Sequence, residues 1–431
     1  MVYDTNLDQT IHTSGVLRCL ECGKCTAICP IARYDGGFSP RVTVGRALMR
    51  RDDELLRDDR LWTCINCLHC NQVCPANVDY SALTLAVRVQ ARQLGQAALC
   101  THGEAIHVWM RMMTQPELKQ NRLGWLSPIS DFRFQISDLN IAPRHSSLDT
   151  LYFAGCAPHY DALFAPLGIK GTSVARASVR VLNALGIEPQ VLADERCCGH
   201  DLFWEGDVER FLQLARLNAE MIRASGVKRI VSSCPECVRA LKVDYPAYGI
   251  QLNAQVFHLS ELLVDSANSK FKIQNSKSAP SNIQRPISNL QHPISKVTFH
   301  DPCRLGRHLG IYDAPRKVLE QLGYQVVEMQ HNRRNATCCG TNGWTHCGAA
   351  NKAIQVQRLR EAKATGADAM VTACLKCQIH FKCALMDKQI ADEVGIEMVD
   401  FATIVSQQLD NRKEQKWEKQ ADLGKIQWSG C

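Results

Sequence analysis

The sequence predicts a multidomain α+β chain, a small and mostly α-helical unit followed by two copies of one α/β unit. Three observations carry that prediction. A cysteine run of fixed spacing, C-x2-C-x2-C-x3-C-P, occurs twice near the start, among segments such as RVTVGRALMR and YSALTLAVRVQARQLG whose apolar residues recur every three to four positions. Strand-like and helix-like segments then alternate toward the far end. Five cysteines of the first half also return in the second. Cys303 follows Cys156 by 147 residues, Cys338 and Cys339 follow Cys197 and Cys198 by 141, and Cys374 and Cys377 follow Cys234 and Cys237 by 140. So constant a period means duplication, with one loop about six residues shorter in the second copy.

Length and composition agree. A chain of 431 residues holds about two to four domains. With 45% apolar and 22% charged residues it is neither disordered, collagenous nor a coiled coil. No apolar run is long enough to span a bilayer. The opening MVYDTNLDQTIHTSG has no basic region followed by an apolar one, so a cytoplasmic protein is expected. There are 22 cysteines, and in a reducing compartment so many thiols serve as metal ligands rather than crosslinks.

Residues 1–95 are the helical unit. Its runs are Cys19, Cys22, Cys25 and Cys29 before Pro30, and Cys64, Cys67, Cys70 and Cys74 before Pro75. Three cysteines at this spacing wrap one face of an iron-sulfur cubane, while the fourth, fixed by its proline, reaches the other cluster of a two-cluster ferredoxin. The spacing therefore assigns Cys19, Cys22, Cys25 and Cys74 to one [4Fe-4S] centre, and Cys64, Cys67, Cys70 and Cys29 to the other. Paired four-cysteine zinc sites would explain neither the third spacing nor the Cys-Pro. Arg18, Lys24 and Arg33 are the nearby cations available to offset cluster charge. The net charge of +7 counts every thiol as neutral. With two anionic clusters it falls to about +3, and nucleic-acid binding is not expected.

Residues 96–148 are a helical connector whose Trp109, Met110, Met112, Met113 and Trp125 read as core packing. The first copy occupies 149–265 and the second 297–408. The strand-like DTLYFAGC (149–156) matches SKVTFHDPC (295–303), and the helical ASVRVLNALGIEPQVL (177–192) matches APRKVLEQLGYQVVEM (314–329). Between the copies, 266–296 is rich in Ser, Asn, Lys and Pro without one acidic residue, a loose insertion; 409–431 is a peripheral tail.

The repeated thiols form the second constellation: Cys156, Cys197, Cys198, Cys234 and Cys237, then Cys303, Cys338, Cys339, Cys374 and Cys377. Five are too many for tetrahedral zinc. Vicinal cysteines suit a multi-iron cluster, and Gly199 and Gly340 follow them where backbone must come close or turn left-handed. A thioredoxin-type C-x-x-C is the competing reading of Cys234 to Cys237. His159, His200 and His308 stand beside these cysteines; His159 and His200 are the candidate acids for a leaving thiolate. Cys100, Cys347, Cys383 and Cys431 have no place in the pattern and read as packed or exposed thiols.

On these motifs, residues 15–95 resemble the C subunit of heterodisulfide reductase, and 149–408 its B subunit with two "CCG" cysteine-rich domains; the fused order resembles the D subunit of the membrane-linked enzyme. The resemblance covers about four fifths of the chain. It implies two cubanes that feed one or two further, noncubane [4Fe-4S] clusters at the CCG motifs, where a disulfide or thiol substrate reacts. It also extends to the iron-sulfur subunits of glycolate oxidase, lactate utilisation and anaerobic glycerol-3-phosphate dehydrogenase, which relay electrons from a flavin partner. The second repeat departs in Asp301-Pro302-Cys303-Arg304, where the family often has Cys-His, and in its shorter glycine run after Cys339. No G-x-G-x-x-G follows a strand, so flavin and NAD are expected on a partner, a flavoprotein or a membrane cytochrome b that would hold the chain at the inner face of the membrane.

Overall fold

The structure, a computed structural model, describes residues 6–126, 139–141, 149–266 and 294–409. Most of the insertion expected at 266–296, nearly all of the tail, part of the connector and Cys431 lie outside the described residues.

The N-terminal unit is built on helices Leu7–Thr13, Pro40–Leu48 and Tyr80–Gln93. Asn6, Ser39 and Asp79 cap them by accepting the N–H of Gln9, Val42 and Ala82. Their inner faces meet round Leu7, Val44, Leu55, Trp62 and Leu83. The two cysteine loops between them are alike. Glu21 and Gly23 in the first, and Asn66 and Leu68 in the second, have φ of 49°, 74°, 46° and 63°. These left-handed steps reverse the chain twice within each run before the one-turn helices Lys24–Ile28 and His69–Val73.

Each repeat is an α/β unit on a parallel sheet. In the first, β1 (Thr150–Tyr152), β2 (Arg229–Ser232) and β3 (Gln255–His258) lie in that order. In the second, β4 (Lys296–His300), β5 (Gln325–Val326), β6 (Ala369–Thr372) and β7 (Glu397–Asp400) take the order β5-β4-β6-β7. Leu151 pairs with Ile230 and Ile230 with Val256, as Phe299 pairs with Val371 and Val371 with Val399. All are buried, as strands covered on both faces must be.

The segments 177–192 and 314–329 are helical only at first, because the helices Gly171–Ala184 and Asp313–Gln321 stop early. Gly186 (φ 74°) and Gly323 (φ 97°) take the left-handed position after each helix. Ile187 and Tyr324 then donate back to the carbonyls of Leu182 and Leu319 at 3.0 and 3.1 Å, a Schellman closure. Beyond it the chain reaches the sheet edge, as β5 in the second copy and as a single bridge of Gln190 to Leu151 in the first. In the second repeat Ile294 is already buried and Lys296 opens β4.

One apolar core joins the repeats, with Tyr152, Val179 and Val231 on one side and Val297, Phe299, Val318 and Val371 on the other. The connector helix Ala105–Met112 sends Ile106 and Met110 into the first repeat's own core. Among the described residues no helix is long and apolar enough to cross a membrane.

Candidate metal centres

Cys19, Cys22, Cys25 and Cys74 line one cavity together with Leu20, Val44 and Val78, and Cys70 reaches its edge. Cys29, Cys64, Cys67 and Cys70 line its neighbour with Ile31, Phe38 and Ile65; Tyr80 borders both. Cys22 is exposed whereas Cys29 and Cys67 are buried, so one cavity is at the surface and the other inside. Burial pushes the Cys64 and Cys67 thiols up, against Arg88 and Arg307 respectively. Thiolates packed together in such apolar walls need a cationic core between them, and the four-thiol cavities fit an iron-sulfur cluster.

Arg18, Lys24 and Arg33 are exposed, as solvated surface residues, and the buried cations at the inner cavity come from distant parts of the chain. Arg88, 1% exposed, donates to Asn66 Oδ1, to the carbonyls of Leu61 and Cys64, and to that of Trp204 in the first repeat, at 2.6–2.9 Å. Arg304 donates to the Asn66 carbonyl, Asn342 Oδ1 and His200 Nε2 at 2.7–2.8 Å, and its guanidinium lies 4.6 Å from the Trp204 ring centre. Two buried arginines thus tie the second cysteine loop to both repeats.

In each repeat five sulfurs form one chain of contacts. Cys156 Sγ lies 3.4 Å from Cys197 Sγ, Cys197 meets Cys198, Cys198 meets Cys237, and Cys237 meets Cys234. Cys303, Cys338, Cys339, Cys377 and Cys374 repeat that order. The glycines are needed for close approach. Gly155 has φ of 60°, and a Cβ there would stand 2.5 Å from Cys237 Sγ; at Gly199, φ 79°, it would stand 2.9 Å from Phe211. Donation from two neighbouring thiols on either side draws Cys197 down, and Cys339 to about 6.

The sites adjoin in series. Cys67 of the inner cavity is in electrostatic range of Cys303 and Cys338, and Cys374 is in range of Cys234. All five thiols of the first repeat line one cavity, together with His200, Asp201, Glu236, Lys376 and Asp400. Lys376, 3% exposed, is salt-bridged to Asp201 and, at 2.8 Å, to Glu236. Sequence reasoning passed over this trio. Its signal was present in the repeat itself, because Glu236 and Lys376 occupy the same position in the two C-x2-C motifs and carry opposite charge.

The histidines separate. His200 borders the cavity, with Nδ1 3.1 Å from Asp201 Oδ1 and Nε2 accepting from Arg304. His159 faces Arg122 at 2.6 Å and the Trp109 ring, and burial followed by Arg122 lowers it to about 4. His308 reaches the Asn66 carbonyl at 2.9 Å. Of the unplaced thiols, Cys347 is exposed, Cys383 accepts from Lys352 Nζ at 2.9 Å, and Cys100 adjoins His107.

Comparison with known proteins agrees with this architecture. Residues 15–78 match the 4Fe-4S dicluster domain, and 150–242 and 297–382 match the CCG cysteine-rich domain. The D subunit of the dihydromethanophenazine:CoB--CoM heterodisulfide reductase of Methanosarcina acetivorans is 30% identical over 426 residues, 91% of this chain and 93% of that one. The chain belongs to the family of heterodisulfide reductase D subunits. The EtfAB:quinone oxidoreductase of Syntrophomonas wolfei is 26% identical across 80% of this chain and 51% of its own. The B subunit of the fumarate reductase (CoM/CoB) of Methanothermobacter marburgensis is 26% identical across 88% and 70%. As a member of that family, this chain is an iron-sulfur electron-transfer subunit of an oxidoreductase and works with redox partners.

Proposed function

We propose that Cys19, Cys22, Cys25 and Cys74 hold one [4Fe-4S] cubane and Cys29, Cys64, Cys67 and Cys70 a second. Each five-cysteine set would hold one noncubane [4Fe-4S] cluster. Bound clusters supply one-electron transfer, in the order in which the sites adjoin. The substrate we assign is a disulfide, taken at the cavity of Cys156, Cys234 and their neighbours. Lys376 offers a buried cation to the thiolate that a broken disulfide leaves, while Asp201 and Glu236 hold that cation in place. His200 is the histidine at this cavity and fixes Asp201 and Arg304; His159 belongs to the wall behind, where Arg122 also binds Glu195. The donor is a flavoprotein or membrane cytochrome b, docked at the exposed Cys22 side, and the chain sits at the membrane's inner face through that partner.

The observation that carries this reading is the pair of five-thiol sets, one of them in a cavity with charged walls. Anaerobically reduced protein mixed with the CoB-CoM heterodisulfide should be reoxidised and release two thiols per disulfide. Cys198→Ser should abolish this and keep the cubane signals. The match to the EtfAB:quinone oxidoreductase supports a second reading, a relay subunit of a flavin-dependent glycolate, lactate or glycerol-3-phosphate dehydrogenase feeding quinone. Reduction by such a flavoprotein and oxidation by quinone, with no response to disulfide, would decide for that reading.

A further inference from the structure

Cys100 lies where three parts of the fold meet. It forms a bridge to Thr345 in the loop after the second repeat's vicinal pair, and it stands beside His107 on the connector helix. Glu205, just past the helix His200–Trp204 of the first repeat, completes the group. The ligand atoms of Cys100, His107 and Glu205 all lie within 4.8 Å of one another. His107 Nε2 is 3.0 Å from Glu205 Oε2 and 2.7 Å from the Gly343 carbonyl. The His107 and Glu205 side chains are fully buried.

One proton on His107 Nε2 cannot serve all of its neighbours. A single ring N–H would face three acceptors: the sulfur, the carboxylate oxygen and the carbonyl. Glu205 Oε2 shares that one Nε2, at 3.0 Å, whereas Oε1 accepts from Arg92 at 2.7 Å. Arg92 and Arg111 are shared with Asp207, so neither neutralises Oε2 directly. A buried carboxylate oxygen left so is costly. A divalent cation at the point of convergence satisfies all of them at once.

We propose that Cys100, His107, Glu205 and the Gly343 carbonyl bind one zinc ion, separate from the iron-sulfur sites. One thiolate, one imidazole and oxygen donors from three separate elements are the ligand chemistry of tetrahedral zinc, and a single thiolate cannot hold an iron-sulfur cube. With no open position the ion is structural. It pins the connector across both repeats, beside the loop that carries Cys339.

The test is metal analysis of the full-length protein purified without oxygen. About one zinc per chain is expected, with a zinc-edge absorption spectrum showing about one sulfur and three lighter neighbours. Cys100→Ser and His107→Gln should each lower zinc at least fivefold and leave iron unchanged, while Cys347→Ser should change neither. Zinc absent from the unaltered protein would overturn the proposal, and so would zinc surrounded by about four sulfurs, which would put it in a cysteine-only site. The absorption spectrum needs no variant, so a poorly folding Cys100→Ser does not blunt the test.

Discussion

In the second repeat, Cys303 and Cys338 stand against Cys67 of the N-terminal unit, and four of the five cysteines are buried. In the first, Cys156 and Cys234 are half-buried and border a cavity walled by Asp201, Glu236 and Lys376. The scaffolds are duplicates: three strands in the same order, with β5 added at the edge of the second, the same chain of sulfurs, the same left-handed glycine after the vicinal pair. What differs is the neighbour. The second copy's thiols adjoin the two-cluster unit and the first copy's line a charged cavity between the repeats, so duplication supplies the thiols while packing sets what surrounds them.

That contrast breaks most readily at Lys376. It is a buried cation from the second repeat paired with two carboxylates of the first. Lys376→Met removes the ammonium that Asp201 and Glu236 share and leaves Asp201 its contact with His200, and should cost about 3–5 kcal/mol in a denaturant titration. Adding Glu236→Gln and Asp201→Asn should recover part of it.

Asp400 and His258 sharpen the comparison, since each is the last residue of the final strand in its repeat, β7 and β3. Burial raises Asp400 from 3.8 to about 7, opposed by the N–H groups of Ala402 and Thr403, and lowers His258 from 6.5 to about 4. The signs are opposite. Asp400 favours the folded state while protonated, so its contribution is full below pH 4 and is lost as pH rises toward 7, about 4 kcal/mol in all. His258 favours it while neutral, so its contribution is full above pH 6.5 and is lost as pH falls toward 4, about 3 kcal/mol. Stability measured from pH 4 to 7 should therefore gain a shallower decline in Asp400→Asn, and lose its acid-side fall in His258→Asn.

The smallest effect belongs to the surface end of the series. Leu20, 69% exposed beside Cys19 and Cys22, should tolerate Leu20→Lys within about 0.5 kcal/mol. If partners dock there, its reduction rate by the donor protein should nevertheless fall several-fold, as stopped-flow absorbance would show.

Much of this organisation was legible in the sequence because cysteine spacing is a direct record of ligand geometry. The duplication was legible because the offsets hardly change. The length of the repeat helices was not: apolar periodicity runs on through Ile187 and Val191, and it takes the left-handed Gly186 to show where the helix ends. The trio was legible only in part: Glu236 and Lys376 stand with opposite charge at one position of the two C-x2-C motifs, but pairing Lys376 with Asp201 depends on how the two copies pack. The arginines that hold the inner cavity, Arg88 and Arg304, lie far from it in sequence and read as ordinary surface charge until the units are assembled.

The central claim is that four sulfur-lined sites of this chain carry clusters together. Iron and acid-labile sulfide quantitation on protein kept free of oxygen tests it most directly. The account predicts about sixteen irons per chain, falling to about twelve in Cys198→Ala. About eight irons, unchanged by that substitution, would contradict it.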